Sequence, residues 1–325
     1  MTSPIGPLVD VDIEVKRRDM TVQAGFGLES GQRLAIFGTS GAGKTTILES
    51  IAGLTYPSRG AVRIEGRLVA GKSKGERPLA ARDRRVALVR QPTTLFPHLT
   101  VAQNVTYGIR SRKNRGRATE LLERLGLTSL ARARGAALSG GQRQRVALGR
   151  ALASPFRVLL LDEPMSAVDV AARGDLRLLA LETADELGAA TIVVTHDLTE
   201  AQAFSDQLAI IDAGRLLQVG GAHEVVRAPL TRRVAELVGY GGFVPVPLSS
   251  DQWFAIHPDQ VVLGATPDRG VVLTGTVLSA RPFGSRYECA VSERSRGRLF
   301  VHVDEPPPTG IELTFTALDP PVVVA

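Results

Sequence analysis

The segment FGTSGAGKTT, Phe37 to Thr46, places three glycines and a lysine directly after the apolar run RLAIF. Gly38, Gly43, Lys44 and Thr45 satisfy the G-x-x-x-x-G-K-[ST] spacing. Glycines permit backbone torsions that turn successive N–H groups inward on an anion, and the helix that follows adds its positive N-terminal end. The pattern therefore demands a strand before it and a helix after it. RLAIFG and KTTILESIAGL supply both. The loop of Gly38, Thr39, Ser40, Gly41, Ala42, Gly43, Lys44, Thr45 and Thr46 reads as a nucleoside triphosphate site. Lys44 reaches for the β- and γ-phosphates there, and the Thr45 hydroxyl is a magnesium ligand.

From Val9 to about Gly239, short apolar runs alternate with helical spacing, the pattern of an α/β domain. RRVALVRQ, RVLLLDE, ATIVVTH and QLAIIDAG are further strands. RATELLERLGL and ARGDLRLLALETADELG carry helical periodicity. At GYGGFVPVPLSS, residues 239–250, glycine, proline and serine break the pattern and read as a linker. Beyond it RYECAVS, RLFVHVD and IELTFTA alternate with period two, so an all-β second domain is expected, of a size that suits a small barrel. The boundary is placed between residues 240 and 241.

The longest apolar runs are too short to span a bilayer, and the N-terminus lacks a signal-peptide pattern, so a soluble chain is expected. Its single cysteine, Cys289, excludes an internal disulfide framework and suits a reducing compartment. A net charge of +6 raises the question of a nucleic-acid partner. The densest basic stretches, KSKGERPLAARDRR (72–85) and RSRKNRGR (110–117), carry no aromatics to stack bases. They read as solvated loops, and no nucleic-acid partner is expected.

VLLLDE ends a buried strand in adjacent carboxylates. Asp162 is placed to hold the magnesium shell, and Glu163 to polarise the attacking water as general base. His196 and Gln91 end their own apolar strands in the same manner. Taken alone, each is as readily structural as functional. LSGGQRQRVALGRAL, residues 138–152, opens a helix with Ser139, Gly140 and Gly141, a second anion-binding nest. One phosphate loop and two phosphate-binding helix starts leave a spare half-site. A head-to-tail homodimer, each nest closing on the partner's γ-phosphate, uses it.

In the order GTSGAGKT, Gln91, LSGGQ, VLLLDEP, SAVD (166–169) and His196, residues 9–240 resemble the ATPase subunit of an ATP-binding cassette (ABC) transporter. The resemblance implies a P-loop fold with a mixed sheet and a helical subdomain, and an ATP sandwich dimer. One chain would supply Lys44, Thr45, Gln91, Asp162, Glu163 and His196, with Gln91 beside Thr45 and Asp162 on magnesium. The other would supply Ser139, Gly140, Gly141 and Gln142, and Asp169 of SAVD belongs to the nucleotide-binding set. Gln91 and PTTLFPHLTVAQNV would face a separate transmembrane permease, reached on its far side by an extracytoplasmic solute-binding protein. The chain would then lie on the cytoplasmic face of the membrane.

The distance between Lys44 and Ser139 leaves no room for the long coiled coils of DNA-maintenance relatives, and one cassette per chain is unlike the ribosome-associated ones. The β-strand tail, entered at IHPDQVVLG (256–264), is similar to the OB-like (TOBE/Mop-like) domain of importer ATPases. The blocks around the phosphate loop and Gln91 look most like molybdate importers. Iron(III), sulfate, polyamine and sugar importers are the alternatives. Family members usually stack an aromatic on adenine near Val15 to Arg18, and none stands there. Arg17 or Arg18 is left to lay a guanidinium on the base.

Overall fold

The computed structural model describes residues 6–72, 75–109, 115–246, 252–293, 298–318 and 322–324. The chain divides into two compact units, residues 1–222 and 223–325.

The first unit runs β1 (Val9–Lys16), β2 (Thr21–Leu28), β3 (Arg33–Phe37), α1 (Lys44–Ala52), β4 (Arg59–Ile64), β5 (Arg67–Gly71), β6 (Val86–Val89), α2 (Val101–Thr106), α3 (Arg115–Arg124) and α4 (Gly140–Leu152). It continues through β7 (Val158–Asp162), α5 (Val170–Glu186), β8 (Ala190–Thr195), α6 (Leu198–Phe204), β9 (Gln207–Asp212) and β10 (Arg215–Gly221). The strands form one mixed sheet in the order β5-β4-β1-β2-β10-β9-β3-β8-β7-β6. From β9 to β6 all pairs are parallel. β7 and β8 are buried at every position, which is why they read as unbroken apolar runs. β1 pairs antiparallel with β2 and β4 and alternates buried with exposed or half-exposed residues, because only one of its faces meets the core.

Helices α2, α3 and α4 pack on one another as a helical layer. Gly149 lets α4 approach its neighbours. A Cβ there would lie 2.7 Å from Leu125 Cδ1 and 3.3 Å from Val105 Cγ2.

The second unit begins with α7 (Ala222–Arg227), whose first residue closes the first unit, and α8 (Arg232–Leu237). It continues in β11 (Gly242–Pro245), β12 (Trp253–Ile256), β13 (Val261–Leu263), β14 (Gly270–Phe283), β15 (Arg286–Glu293), β16 (Arg298–Val303), β17 (Glu312–Leu318) and β18 (Val322–Val324). Two antiparallel sheets result, β11-β12-β18 and β13-β17-β14-β15-β16, consistent with a small OB-like domain. Their core includes Ile256, Leu273, Val291, Val301 and Phe315, with Cys289 fully buried as a free thiol. Arg232 lies over the rings of Phe243 and Trp253 at 4.8 and 4.7 Å. No helix among the described residues is long and apolar enough to cross a membrane.

Three local expectations need correction. The segment expected as a linker contains β11, which pairs with β12, while residues 247–250 fall outside the described residues. Of the basic stretch 110–117, residues 110–114 lie outside the described residues, and Arg115 opens α3 rather than a loop. Arg117 pairs with Glu186 at 3.6 Å. In the stretch 72–85, Arg84 is not solvated but 3% exposed. Its Nε donates to Leu79 O at 2.9 Å and its Nη1 to Ile51 O at 3.3 Å, at the last turn of α1. Helix α1 ends on Gly53 at φ 81°, and a Cβ there would sit 2.1 Å from Arg84 Cζ. A cation on orphan carbonyls completes the helix end, and burial pulls the Arg84 pKa below its usual value.

Arg84→Ala removes both donors and leaves a void beside α1. It should cost about 2–4 kcal/mol, the sum of two orphaned carbonyls and a small cavity. Thermal unfolding of the full chain should show the first unit's transition lowered by roughly 5–10 °C. An unchanged transition would mean that water replaces the guanidinium without loss.

Candidate functional site

The phosphate loop leaves β3 at Gly38, where a Cβ would lie 2.1 Å from Ile211 O, so the tight exit next to β9 admits glycine alone. Gly41 and Gly43 follow at φ 81° and 104°. Ala42 N closes the turn on Thr39 O at 3.2 Å, and α1 starts at Lys44. Lys44 is 7% exposed, and its Nζ donates to Gly38 O at 2.8 Å and Thr39 O at 3.0 Å. Burial lowers its pKa, against the raising pull of Glu163 and Asp162. The loop is held around its own lysine.

Asp162, 3% exposed at the end of β7, takes the Thr45 hydroxyl at 3.2 Å on both carboxylate oxygens. Burial raises its pKa, opposed chiefly by that hydrogen bond. The next residue, Glu163, has φ 48°, a left-handed conformation uncommon for a residue with a side chain. Its N–H donates to Val194 O at 2.9 Å, and its Oε1 lies 2.8 Å from His196 Nδ1. Glu163 is thus turned off the strand toward the histidine that ends the neighbouring strand.

A cavity of about 300 Å³ is lined by Met20, Ser40, Gly41, Gly43, Lys44, Thr45, Thr46, Gln91, Asp162 and Glu163. Thus nine residues anticipated from sequence meet in one hollow, and His196 joins them through Glu163. Gln91 Nε2 donates to Ser166 Oγ at 3.1 Å, and Ser166 Oγ donates to Glu163 O at 3.0 Å, which ties the end of β6 to the backbone of Glu163.

The signature residues stand outside this lining. Ser139 caps α4 in a reciprocal pair: its Oγ accepts from Gln142 N at 3.2 Å, and Gln142 Oε1 accepts from Ser139 N at 2.9 Å. Gly140 and Gly141 face Ala167, and a Cβ on Gly141 would come 2.9 Å from Ala167 O. Asp169 caps α5 by accepting from Ala172 N at 3.0 Å and pairs with Arg145 at 3.2 Å. Within one chain, the residues lining the cavity and those at the start of α4 are separate.

Sequence reasoning missed several groups. Met20 lines the cavity in the region where an aromatic was sought. Arg17 is engaged elsewhere: it pairs with Glu49 at 2.7 Å and donates to Thr55 and Thr46 at 3.1 and 3.4 Å. Gln144, 4% exposed, donates to Pro164 O at 2.9 Å and accepts from the Thr93 hydroxyl, joining the signature helix to the segments after β7 and β6. Its one available signal was a glutamine on the buried face of an otherwise amphipathic helix.

The donor set suits magnesium, which takes hard oxygens, one or two carboxylates, and the substrate's own phosphates. Thr45 and Asp162 offer that. Among the described residues no cluster of three or more His, Cys, Asp or Glu forms a closed metal cage. A bound magnesium ion would neutralise phosphate charge. Lys44 and the loop's backbone line the cavity, and Glu163 enters it with its carboxylate 2.8 Å from His196 Nδ1.

Comparison with known proteins follows this geometry. A family model described as ABC transporter matches residues 22–166. Fe(3+) ions import ATP-binding protein FbpC 1 of Rhodococcus jostii (strain RHA1) is 40% identical over 281 residues, 80% of this chain and 79% of that protein. Sulfate/thiosulfate import ATP-binding protein CysA 2 of Chromobacterium violaceum is 40% identical over 227 residues, 69% of this chain and 60% of that protein. A solved ATP-binding subunit of an ABC transporter superposes with a TM-score of 0.60 at 26% identity, covering 68% of this chain and 92% of that one. The dimeric cassette MJ0796, bound to ADP and Pi, gives 0.57 at 27% identity over 66% and 98%. With its phosphate loop, paired carboxylates and signature helix in the arrangement described, the chain belongs to the ABC transporter family as an ATP-hydrolysing subunit of the import type.

Proposed function

We propose that two copies of this chain, with magnesium and ATP, drive an iron(III) importer from the cytoplasmic face of the membrane. A separate permease and an extracytoplasmic solute-binding protein would complete it. The solute reading rests on the extent of likeness. Five iron(III) relatives match over 66% to 93% of the chain, three of them over 80%, 85% and 93% and so well into the second unit. Sulfate relatives match over 69%, 71% and 77%. Sulfate is the second reading. The molybdate expectation gains no support from these relatives, whose names carry iron(III) or sulfate. Deleting the gene in its host should abolish uptake of radiolabelled iron(III) and spare sulfate and molybdate uptake. Loss of either oxyanion instead would overturn the iron assignment.

The homodimer reading is supported by the separation of the two half-sites in one chain. Glu163 would act as base, with His196 and Gln91 framing the γ-phosphate. Ser139, Gly140, Gly141 and Gln142 would close from the partner, beside Asp169. The domain boundary at 240/241 is kept as the point after which the described residues form strands, turns and two short 3-10 helices but no α-helix.

Glu163→Gln should retain ATP binding and lose roughly 10²–10⁴ in turnover, the worth of a general base. Size exclusion in ATP should then show a persistent dimer. Wild-type hydrolysis in this variant would remove Glu163 from the role. Mixing Lys44→Ala with Ser139→Arg chains should restore one composite site per heterodimer. ATPase activity above that of either mutant homodimer is the expected result; none would argue for independent sites or strict two-site coupling.

The base is the weak point of nucleotide recognition. Arg17 is held by Glu49, Arg18 is exposed and outside the cavity lining, and the side chain lining the cavity on this side is Met20, whose thioether does not distinguish adenine's edge. ATP and GTP should be hydrolysed with kcat/KM values within about tenfold, a difference of about 1.4 kcal/mol. Steady-state kinetics giving a preference beyond a hundredfold would mean that another residue recognises the base.

A further inference from the structure

His196 stands between two residues that Glu200 holds, Thr195 through its carboxylate and Asp197 through its backbone N–H. Thr195, the last residue of β8, is fully buried. Its hydroxyl donates to Glu200 Oε2 and accepts from Asp197 N at 3.1 Å. Glu200 N in turn donates to Asp197 Oδ1 at 3.0 Å, which closes a ring of bonds around the backbone of His196. The histidine's own side chain is 62% exposed, and its recorded polar contact is the 2.8 Å approach to Glu163. The placement of its ring therefore depends on what holds the backbone beneath it.

Glu200 is an uncommon choice for a merely structural anchor. Its Oε1 is buried and has no hydrogen-bond partner. The residue lines a cavity of about 140 Å³ with Met165, Arg173, Arg177, Asp197 and Phe204. A neutral side chain would fill that place without the cost of burying a charge. An acceptor is needed where a hydroxyl proton must be taken while the hydroxyl oxygen serves another donor, and a carboxylate is the strongest available. Thr195 is in that position: its oxygen already takes the Asp197 N–H, so its proton requires an acceptor elsewhere.

We propose that Glu200 is a positioning residue for hydrolysis: by accepting the Thr195 hydroxyl proton it fixes the turn that carries His196 within reach of Glu163. The inference rests on the reading of Glu163 and His196 as the hydrolytic pair. A pH dependence follows. Burial is the main cause raising the Glu200 pKa, with Glu163 at the end of β7 and Asp197 at the start of α6 adding to it. The Thr195 hydrogen bond and Arg173 on α5 oppose the rise. Arg177 on α5 also faces the cavity, and His196 lies beyond the ring. The group thus takes up a proton above the ordinary carboxylate range. As pH falls through that point, Glu200 becomes a neutral carboxylic acid, a weaker acceptor for the Thr195 proton than a carboxylate or an amide oxygen, so the turn loosens and turnover declines.

The test is steady-state Mg-ATPase activity of the full chain over about pH 5 to 9, for Glu200→Ala, Glu200→Gln, Thr195→Val and His196→Ala. Glu200→Ala and Thr195→Val should lower kcat roughly ten- to a hundredfold, the usual consequence of displacing a reacting group by about 1 Å. KM for ATP should stay within about threefold, because the phosphate loop is untouched. Glu200→Gln should keep kcat within about threefold of wild type at neutral pH, since an amide oxygen accepts from Thr195 at any pH. Its acid limb should move to lower pH. Wild-type kcat in Glu200→Ala, with His196→Ala inactive, would overturn the inference and leave the hydrolytic pair standing. Wild-type kcat in His196→Ala would remove the pair and the inference together. Should Glu200→Ala lose its cooperative thermal transition, Glu200→Gln decides alone: a fall as large as that of Thr195→Val, or an unmoved acid limb, overturns the inference.

Discussion

The register of three parallel strands governs this molecule. β3 pairs with β8 so that Phe37 stands opposite Thr195, and β8 pairs with β7 so that Val194 stands opposite Asp162. One step beyond each of these positions the chain turns into the phosphate loop, His196 and Glu163. Three segments far apart in sequence therefore emerge together along one sheet edge. Parallel strands bring their carboxyl ends to the same edge, and it is there that open α/β sheets hold ligands. A slip of one residue in β7 would move Asp162 away from Thr45 and reverse every side chain of the strand.

How much of this was legible before the structure follows from the same geometry. Strands buried on both faces write themselves as apolar runs, and β3, β7, β8 and β9 were readable within a residue or two, as was the half-buried edge strand β6 from its apolar VALV. The opposite end of the sheet was not. β4, with Arg59 and Arg63, is exposed or half-exposed at four of its six positions, and β5, though buried after Arg67, carries only three apolar residues, so neither shows that signature. The phosphate loop and the carboxylate pair were legible because the chemistry fixes residue type and spacing. Gln144, Ser166 and Arg84 were not, since each acts through a partner distant in sequence. Arg84 misled outright. A basic residue in a basic stretch reads as solvated, yet the exposed carbonyls at the end of α1 call for a donor.

The base side of the site shows the same division. The missing aromatic was visible, but the fate of Arg17 was not. Glu49 on α1 holds both Arg17 and Arg90, at 2.7 and 2.8 Å. One carboxylate therefore links the β1–β2 turn, the phosphate-loop helix and the residue before Gln91. Exposed pairs of this kind add little to stability. Their service is geometric, since they bring three segments around the cavity into a common frame.

The left-handed backbone of Glu163 sets two demands against each other. For a residue bearing a Cβ this conformation costs roughly 1–2 kcal/mol, and glycine would adopt it freely. Were folding the only requirement, mutation would drift toward glycine here and gain stability at once. The position instead keeps a strained glutamate whose carboxylate the strained turn directs at His196. At this residue the backbone alone favours glycine while the contact with His196 calls for the glutamate, and the strain is a load that the buried strands on either side of it carry.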